Sequence, residues 1–417
     1  MTAPHHRNQL KRQIVTTVDE LTPTLVELSH RIHATPELAF HEHRASTWLA
    51  QAAETAGLDV DRSAFGLETA FVAEFGTPTG PKVALASEYD ALPDIGHGCG
   101  HNIIAAVGLG AALALHHLGD RLPGTVRYLG TPGEDRGCGK ELLARAGAWD
   151  GIDAAMMVHP ANVNLKAVRT QCLAEAEITF IGRAAHAALA PQEARSALDA
   201  LVLSYQALAQ LRQHLPGSER ITGVLTEGGT APNVVPERAT ARYFARAATT
   251  SDLTALKKRM EACLQGAAHA TGCELALTWT DPNYLDMRIN APLADAYERN
   301  ATDLGRAFTP YEDYPVAGTD MSNVSHRVPV LHGTIACAPP HIMLHTREFT
   351  AAAVSPQGDQ AVIDGAKALA VTAIDFLTDA ELRRRTAQAF TASTEPITAP
   401  APNSSLTSKR HPQPSLY

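Results

Sequence analysis

The sequence predicts an α/β protein in which a larger domain, assembled from two chain segments, encloses a smaller inserted α+β domain. Three observations carry that prediction. Four short apolar runs (Val83 to Ala86, Thr125 to Leu129, Ala154 to Val158 and Val328 to Ala336) read as buried strands, each followed by chemically capable polar residues. Between about Cys172 and Asp281 the pattern changes to the order β-α-β-β-α-β, the split βαβ motif. Strand-like runs then resume, which makes the middle region an insertion.

Taken in order, the first element is a helix expected from about Pro23, a first-turn position after Thr22, with Leu25, Leu28 and Ile32 on one face and an end before Pro36. The run after the first strand passes through Glu88 and Asp90 to the string GHGCGHN and then to an apolar stretch, Ile103 to Leu115, that reads as a buried helix. Glu134 and Asp135 follow the second strand, His159 the third, and His341 and His345 the fourth. In open α/β sheets ligands bind beyond the carboxyl ends of parallel strands, so these groups are expected to share one crevice. The inserted domain reads as Ala174 to Ile181, a periodic stretch Ala194 to Leu215, alternating runs Ile221 to Leu225 and Ala239 to Ala245, a second helix over Asp252 to Ala268, and a last strand Glu274 to Trp279. Boundaries are set at 1–171 and 286–380 for the two segments of the larger domain and 172–285 for the insertion. The rest, 381–417, is rich in Pro, Ser, Thr and Ala and is expected to be a disordered tail.

Composition narrows the function. Of 417 residues, 45% are hydrophobic and 19% charged, as in a globular protein, and the net charge of −9 comes without blocks of like charge. A nucleic-acid or anionic-membrane partner is therefore not expected. Ile103 to Leu115 falls short of the roughly 20 apolar residues a spanning helix needs, and no secretory signal opens the chain, so a cytoplasmic location is expected. Six cysteines scattered through so long a chain are expected to be reduced. The 19 histidines remain to be explained.

In GHGCGHN, Cys99 and His101 can face one ion from a glycine-rich loop, and the helix that follows is expected to help hold Cys99 as thiolate. Alone, the motif is as readily a glycine turn with an incidental thiol. His97 is read as a neighbour rather than a ligand. In TPGED, Glu134 and Asp135 point to opposite sides of an extended chain, so one can bind metal while the other faces substrate. Standing alone, that pair is an ordinary acidic loop, and His159 and His345 are ordinary histidines. Four such signals at the ends of strands in one sheet support one another.

Together EYDALPDIGHGCGHN, TPGED, VHP (Val158 to Pro160), GRAAHA and HTREF resemble the M20 family of metallo-peptidases and amidohydrolases, in the branch that includes aminobenzoyl-glutamate hydrolase B subunits. The resemblance covers about residues 25 to 380. It implies a mixed-sheet, metallo-exopeptidase-like catalytic domain with a ferredoxin-like lid and dimerisation domain, and a homodimer formed through that lid. It implies two divalent metal ions, zinc or manganese in first place and cobalt or nickel after them, ligated by Cys99, His101, Asp135, His159 and His345 with Cys99 bridging. It further implies Glu134 as general base, His186 as the lid histidine that stabilises an oxyanion, and Asn233 and Arg246 as groups for a substrate carboxylate. Asp320 and Ser322 match a loop beside the site, without an assigned role. The implied activity is hydrolysis of the amide of a small N-acyl amino acid or dipeptide, β-alanyl dipeptides included.

Two departures from the family pattern bear on this. Asp135 stands where a glutamate is usual, one methylene shorter, and Asn102 replaces an aspartate often found after the Cys-x-His pair, which is expected to weaken metal affinity by removing a nearby charge. They leave room for a protein that binds without catalysis. A cysteine hydrolase using Cys99 with His101 as base is the other alternative, disfavoured because residues two apart on a glycine loop seldom align for in-line attack.

Overall fold

The computed structural model describes residues 4–314 and 318–394. Its larger body is a six-stranded mixed sheet between two helical layers. The elements are α1 (Pro4–His33), α2 (His43–Thr55), β1 (Val60–Arg62), β2 (Phe71–Gly76), β3 (Lys82–Ser87), α3 (His101–His116), β4 (Thr125–Gly130), α4 (Gly139–Arg145) and β5 (Ala154–Ala161). After the insertion come α7 (Ala291–Asp303), α8 (Met321–Ser325), β10 (Val330–Ala336), α9 (Arg347–Ala352), α10 (Pro356–Thr378) and α11 (Ala380–Thr394). The insertion itself supplies β6 (Cys172–Ile181), α5 (Ala197–Arg212), β7 (Arg220–Glu227), β8 (Arg238–Ala247), α6 (Thr250–Thr271) and β9 (Glu274–Trp279).

Strand order is β1-β2-β4-β3-β5-β10, with β4, β3, β5 and β10 mutually parallel and β1 and β2 antiparallel at one edge. Both faces are covered, which is why the parallel strands are apolar throughout. Val83 and Leu85 face a core shared with α1, α3 and α10, while Ala84 and Ala86 face the opposite layer with Leu143, Trp149 and Met321. The inserted domain is a four-stranded antiparallel sheet, order β7-β8-β6-β9, with α5 and α6 on one face. Alternation on β8 is clean: Ala239, Ala241, Tyr243, Ala245 and Ala247 are buried, while Arg242 and Phe244 face outward and Arg246, on the same outward side, is half-buried.

Two expectations need correction. The first helix runs from Pro4, with Pro23 in its interior. Leu10, Ile14 and Val18 continue the buried stripe of Leu25, Leu28 and Ile32 across the proline, and that packing outweighs the lost backbone hydrogen bond. The tail expected to be disordered from 381 is helical through Thr394. Leu382 and Thr386 of α11 are buried, and the Asn290 side chain at the start of α7 donates to the Thr386 carbonyl. Residues 395–417 of that expectation lie outside the described residues.

Candidate metal centre

The four parallel strands are neighbours in the sheet, so the segments that leave their carboxyl ends meet above it. From β3 comes the GHGCGHN turn, from β4 the Glu134–Asp135 pair, from β5 His159, and from beyond β10 His345. Two glycines let them approach closely. Gly100 sits in the left-handed region (φ 78°), where a Cβ would meet the Pro160 ring at 2.6 Å, so the turn lies directly against the residue after His159. At Gly139 a Cβ would meet the Pro132 carbonyl oxygen at 1.8 Å, which lets α4 begin under the acidic loop. His345 also has a positive φ, 64°, held by its own N–H donating to the Gly98 carbonyl at 2.8 Å. A histidine in that conformation is strained, as residues at functional sites often are.

All five residues expected as ligands converge. Cys99 Sγ lies 3.4 Å from His345 Nε2 and 3.7 Å from His159 Nε2, and His345 Nε2 is 4.0 Å from Asp135 Oδ1. Ligand atoms of Cys99, His101 and His159 all lie within 4.8 Å of one another, as do those of Cys99, Asp135 and His345. Cys99 is thus common to both groups. His101 Nδ1 is paired with Asp90 Oδ1 at 2.9 Å, which leaves Nε2 facing the cluster, 3.8 Å from Glu134 Oε2 and 3.5 Å from Glu88 Oε2. His159 Nδ1 is likewise engaged, by the Pro160 carbonyl at 2.7 Å, so its Nε2 also faces inward. Such engagement of the far ring nitrogen is how metal-binding histidines are oriented.

The residues fit divalent metal. Glu88 Oε2, His101 Nε2 and Asp135 Oδ2 are buried without a hydrogen-bond partner, and all three border the cluster. Buried polar atoms are rarely left unpaired, so three together call for a ligand. Five carboxylates, Glu88, Asp90, Glu134, Asp135 and Asp320, gather here around the ammonium of Lys140, which donates to Glu88 and Asp320 while wholly buried. Burial pushes the Glu134 carboxyl well above its ordinary range, with Glu88 and Asp135 adding to the push. Burial lifts Asp135 to about 6 in the same way.

Other sequence readings come out differently. Cys99 precedes α3, and burial, reinforced by Asp135, pushes its thiol up rather than holding a thiolate. A thiol so placed is a poor nucleophile but is deprotonated by a dication. Asn102 does not face the ligands: its side chain donates to Ser29 Oγ and the Ala353 carbonyl, tying α3 to α1, and the charged partner of His101 is Asp90. His97, read as a neighbour rather than a ligand, stacks on His33 and is in none of the ligand groups. Sequence reasoning noted Glu88 and left Asp320 without a role; it missed Lys140, which no local motif marks.

The lid residues stand apart from the cluster. His186 is exposed, its Nδ1 accepting from the N–H groups of Ala188 and Leu189, and the Asn233 carbonyl accepts from Ala187 N at 3.0 Å on the same rim. Among the described residues, no hydrogen bond or ion pair joins His186, Asn233 or Arg246 to the cluster. A cleft of about 590 Å³ opens between Asp135, Arg136 and Gly137 and the outer face of the lid sheet, where Arg242 and Phe244 line it and Arg246 does not. Tyr284, also in its wall, donates to the Glu134 carbonyl at 2.7 Å.

Comparison with known proteins places this arrangement. The chain is 38% identical over 389 residues to the Xaa-Arg dipeptidase of Mus musculus, spanning 88% of this chain and 89% of that one. The chain belongs to the M20 family. The peptidase dimerisation domain of M20 proteins matches residues 169–271, the inserted lid. The p-aminobenzoyl-glutamate hydrolase B component of Escherichia coli is 35% identical over 266 residues, covering 59% of this chain and 55% of that one. Among solved structures, a dinuclear metal-binding M20 peptidase of Bacillus subtilis superposes with a TM-score of 0.68 at 20% identity, covering 87% of this chain and 99% of that one. This M20 protein is accordingly a hydrolase of amide bonds. None of its described helices is long and apolar enough to cross a membrane.

Proposed function

We propose that this M20 hydrolase cleaves the amide of a small N-acyl amino acid or dipeptide at a two-metal centre held by Cys99, His101, Asp135, His159 and His345. The single observation that carries the reading is the convergence of these five side chains on two groups sharing Cys99, bordered by buried donor atoms that lack partners. Bound divalent ions would supply Lewis acidity toward water and the scissile carbonyl, and the mixed N, O and S donors suit zinc or manganese, with cobalt and nickel also accommodated.

The remaining chemistry belongs to the chain. Glu134, held at its backbone by Tyr284, is the general base: its carboxylate takes the proton of the attacking water and returns it to the departing amine. Burial raises this carboxyl, which makes its ionised form a stronger base toward the attacking water. His186 donates to the developing oxyanion, since acceptance of two backbone N–H bonds at Nδ1 leaves the proton of the neutral ring on Nε2, pointing to solvent. Its exposure and its separation from the cluster favour delivery to the other protomer of a homodimer formed through the lid. Asn233, on the same rim, and Arg246, which has no ion-pair partner among the described residues, are the groups proposed for the substrate carboxylate.

The relatives' names direct the substrate search toward dipeptides ending in arginine, N-acyl amino acids and aminobenzoyl-glutamate, and the family resemblance adds β-alanyl dipeptides. Chelated protein resupplied with Mn²⁺, Zn²⁺ or Co²⁺ is expected to hydrolyse at least one of these classes. Full turnover by verified metal-free protein would refute the metal-centre reading. Turnover of none, by protein that binds two ions, would refute the hydrolase reading in favour of a protein that only binds.

A further inference from the structure

A single peptide group joins Glu134 to Asp135, and it is gripped at both of its polar ends. Its carbonyl, from Glu134, accepts from the Tyr284 hydroxyl at 2.7 Å, and its N–H, from Asp135, donates to Asp90 Oδ2 at 2.9 Å. The chain on either side needs such a grip, because Gly133 and Gly137 both sit in the left-handed region (φ 70° and 108°), where the backbone is least constrained by its own side chains. Tyr284 is itself anchored. Its backbone exchanges two hydrogen bonds of 3.0 Å with Leu173, so the strands by which the chain enters and leaves the lid are paired at this point. Its two sequence neighbours are held by one side chain: Asn323 of α8, only 2% exposed, donates to the Asn283 carbonyl at 2.9 Å and accepts from the Leu285 N–H at 3.1 Å. From the same short helix Ser325 Oγ accepts from the Arg288 N–H at 2.9 Å. At its start Asp320 accepts from the Lys140 N–H and ammonium, each at 2.8 Å, just past the far end of the Glu134 loop.

We propose that Tyr284 is a positioning residue for the general base: its hydroxyl, opposed by Asp90, orients the Glu134–Asp135 peptide, and Asn323 holds Tyr284 in place. The inference rests on Glu134 being the base, as argued above, and it gives the segment around Asp320 and Ser322 the role it lacked. That segment braces the acidic loop from both sides, through Asn323 and Tyr284 at Glu134 and through Asp320 at Lys140. A planar peptide held at its oxygen and at its N–H fixes ψ of the residue before it and φ of the residue after it. Those two angles set the directions in which the Glu134 and Asp135 side chains leave the chain, so one peptide orientation serves both. Misplacing a catalytic group by about 1 Å costs about 10²-fold in rate, which is the leverage of a hydroxyl that is itself spent on a carbonyl. Because Tyr284 also pairs with Leu173, the base is set by the same post from which the lid departs.

The test compares Tyr284→Phe, which removes only the hydroxyl, with Asn323→Ala, which releases the residues on both sides of Tyr284. Two readouts are taken: steady-state kinetics on whichever of the substrate classes above is turned over, and hydrogen exchange of residues 131–138. Both variants should lower kcat, Tyr284→Phe by about 10-fold to 100-fold, with KM and metal content at the parent level. Exchange across 131–138, which includes the Asp135 N–H, should quicken while that of β4 stays as in the parent. A merely structural role would lower thermal stability without splitting kcat from KM. Parent kcat in Tyr284→Phe, or a lowered kcat with unchanged exchange, would overturn the proposal, and should Tyr284→Phe not fold, the same outcomes in Asn323→Ala decide it. Glu134→Gln separates the two levels of the argument. Turnover at the parent rate in that variant would remove the base reading and this proposal with it, whereas an inactive Glu134→Gln beside a parent-like Tyr284→Phe would remove the proposal alone.

Discussion

Stripping the divalent ions should destabilise the protein by an amount that the site itself sets. In the metal-free protein a carboxylate oxygen of Glu88 and one of Glu134 lie within 4.8 Å of one another, both against His101. Two carboxylates at that separation repel by about 3.5 kcal/mol or more at an effective dielectric constant near 20. Protons relieve part of this, since burial raises both Glu134 and Asp135, the latter to about 6. The sign of the pH dependence follows. A carboxyl raised above its unfolded value of 3.8 contributes stability that is fully present below that value and is lost as pH rises through about 6. The metal-free protein should therefore become less stable from about pH 4 to pH 6, whereas dications, which replace those protons, should hold the loaded protein level. Free metal at 100 times each dissociation constant adds about 2.7 kcal/mol per site, or about 5.5 kcal/mol for two. With an unfolding entropy of about 2.1 cal/mol/K per residue over 417 residues, that corresponds to a rise in Tm of about 6 °C. Thermal denaturation of chelated protein, titrated with Mn²⁺, Zn²⁺ or Co²⁺ at pH 5 and at pH 7.5, measures it. A Tm that stays flat across the titration at pH 7.5, or a metal-induced rise no larger at pH 7.5 than at pH 5, would refute the reasoning.

Three further outcomes are expected. Glu134→Gln should lower kcat by about 10²-fold to 10⁴-fold while leaving metal content at the parent level, as read by steady-state kinetics and elemental analysis. His186→Ala should cost about 10²-fold to 10³-fold in kcat, and mixing it with Glu134→Gln should restore a fraction of the activity, because one site of a mixed dimer then has an intact Glu134 and receives an intact His186 from its partner. Mixtures no more active than their components would count against delivery between protomers. Asp286→Asn tests the joint between lid and body: burial raises this carboxyl, but hydrogen bonds from His326 and from the Thr250 hydroxyl and N–H outweigh it and depress the group. Stability from a depressed carboxyl is present above its unfolded value of 3.8 and lost as pH falls through the lower folded value. The variant should thus be about 2 kcal/mol less stable at pH 7 in denaturant melts, with the gap closing below about pH 4.

The parts of this molecule that could be read from its sequence are those where one periodicity serves one environment. The parallel strands are apolar on both faces because both are covered, and most lid elements alternate or repeat because only one face of that sheet carries helices, although β7 is buried only at Ile221. Pro23 misled for a physical reason: proline does favour a first turn, but a buried stripe from Leu10 to Ile32 outweighs a local preference. Residues 381–394 misled because their composition resembles a linker, while two small contacts, Leu382 and Thr386, hold them in a helix. The ligands were legible because strand ends in one sheet must meet. Lys140 was not, since a lysine in the first turn of a short helix says nothing of the two carboxylates folded over it.

The same contrast bears on what the departures at positions 102 and 135 mean. A loss of metal affinity was expected from Asn102, yet its side chain joins α3 to α1 and the Ala353 carbonyl, and Asp90 supplies the charge that orients His101. The shorter Asp135 still brings Oδ1 to 4.0 Å from His345 Nε2, and its backbone N–H donates to Asp90 Oδ2 at 2.9 Å. Asp90 therefore fixes both His101 and the loop that carries Asp135 and Glu134. One buried carboxylate thus couples the group of Cys99, His101 and His159 to the group of Cys99, Asp135 and His345 and to the proposed base. Such a network would have no reason to remain so complete in a degenerate protein that only binds, and its completeness favours turnover over mere binding.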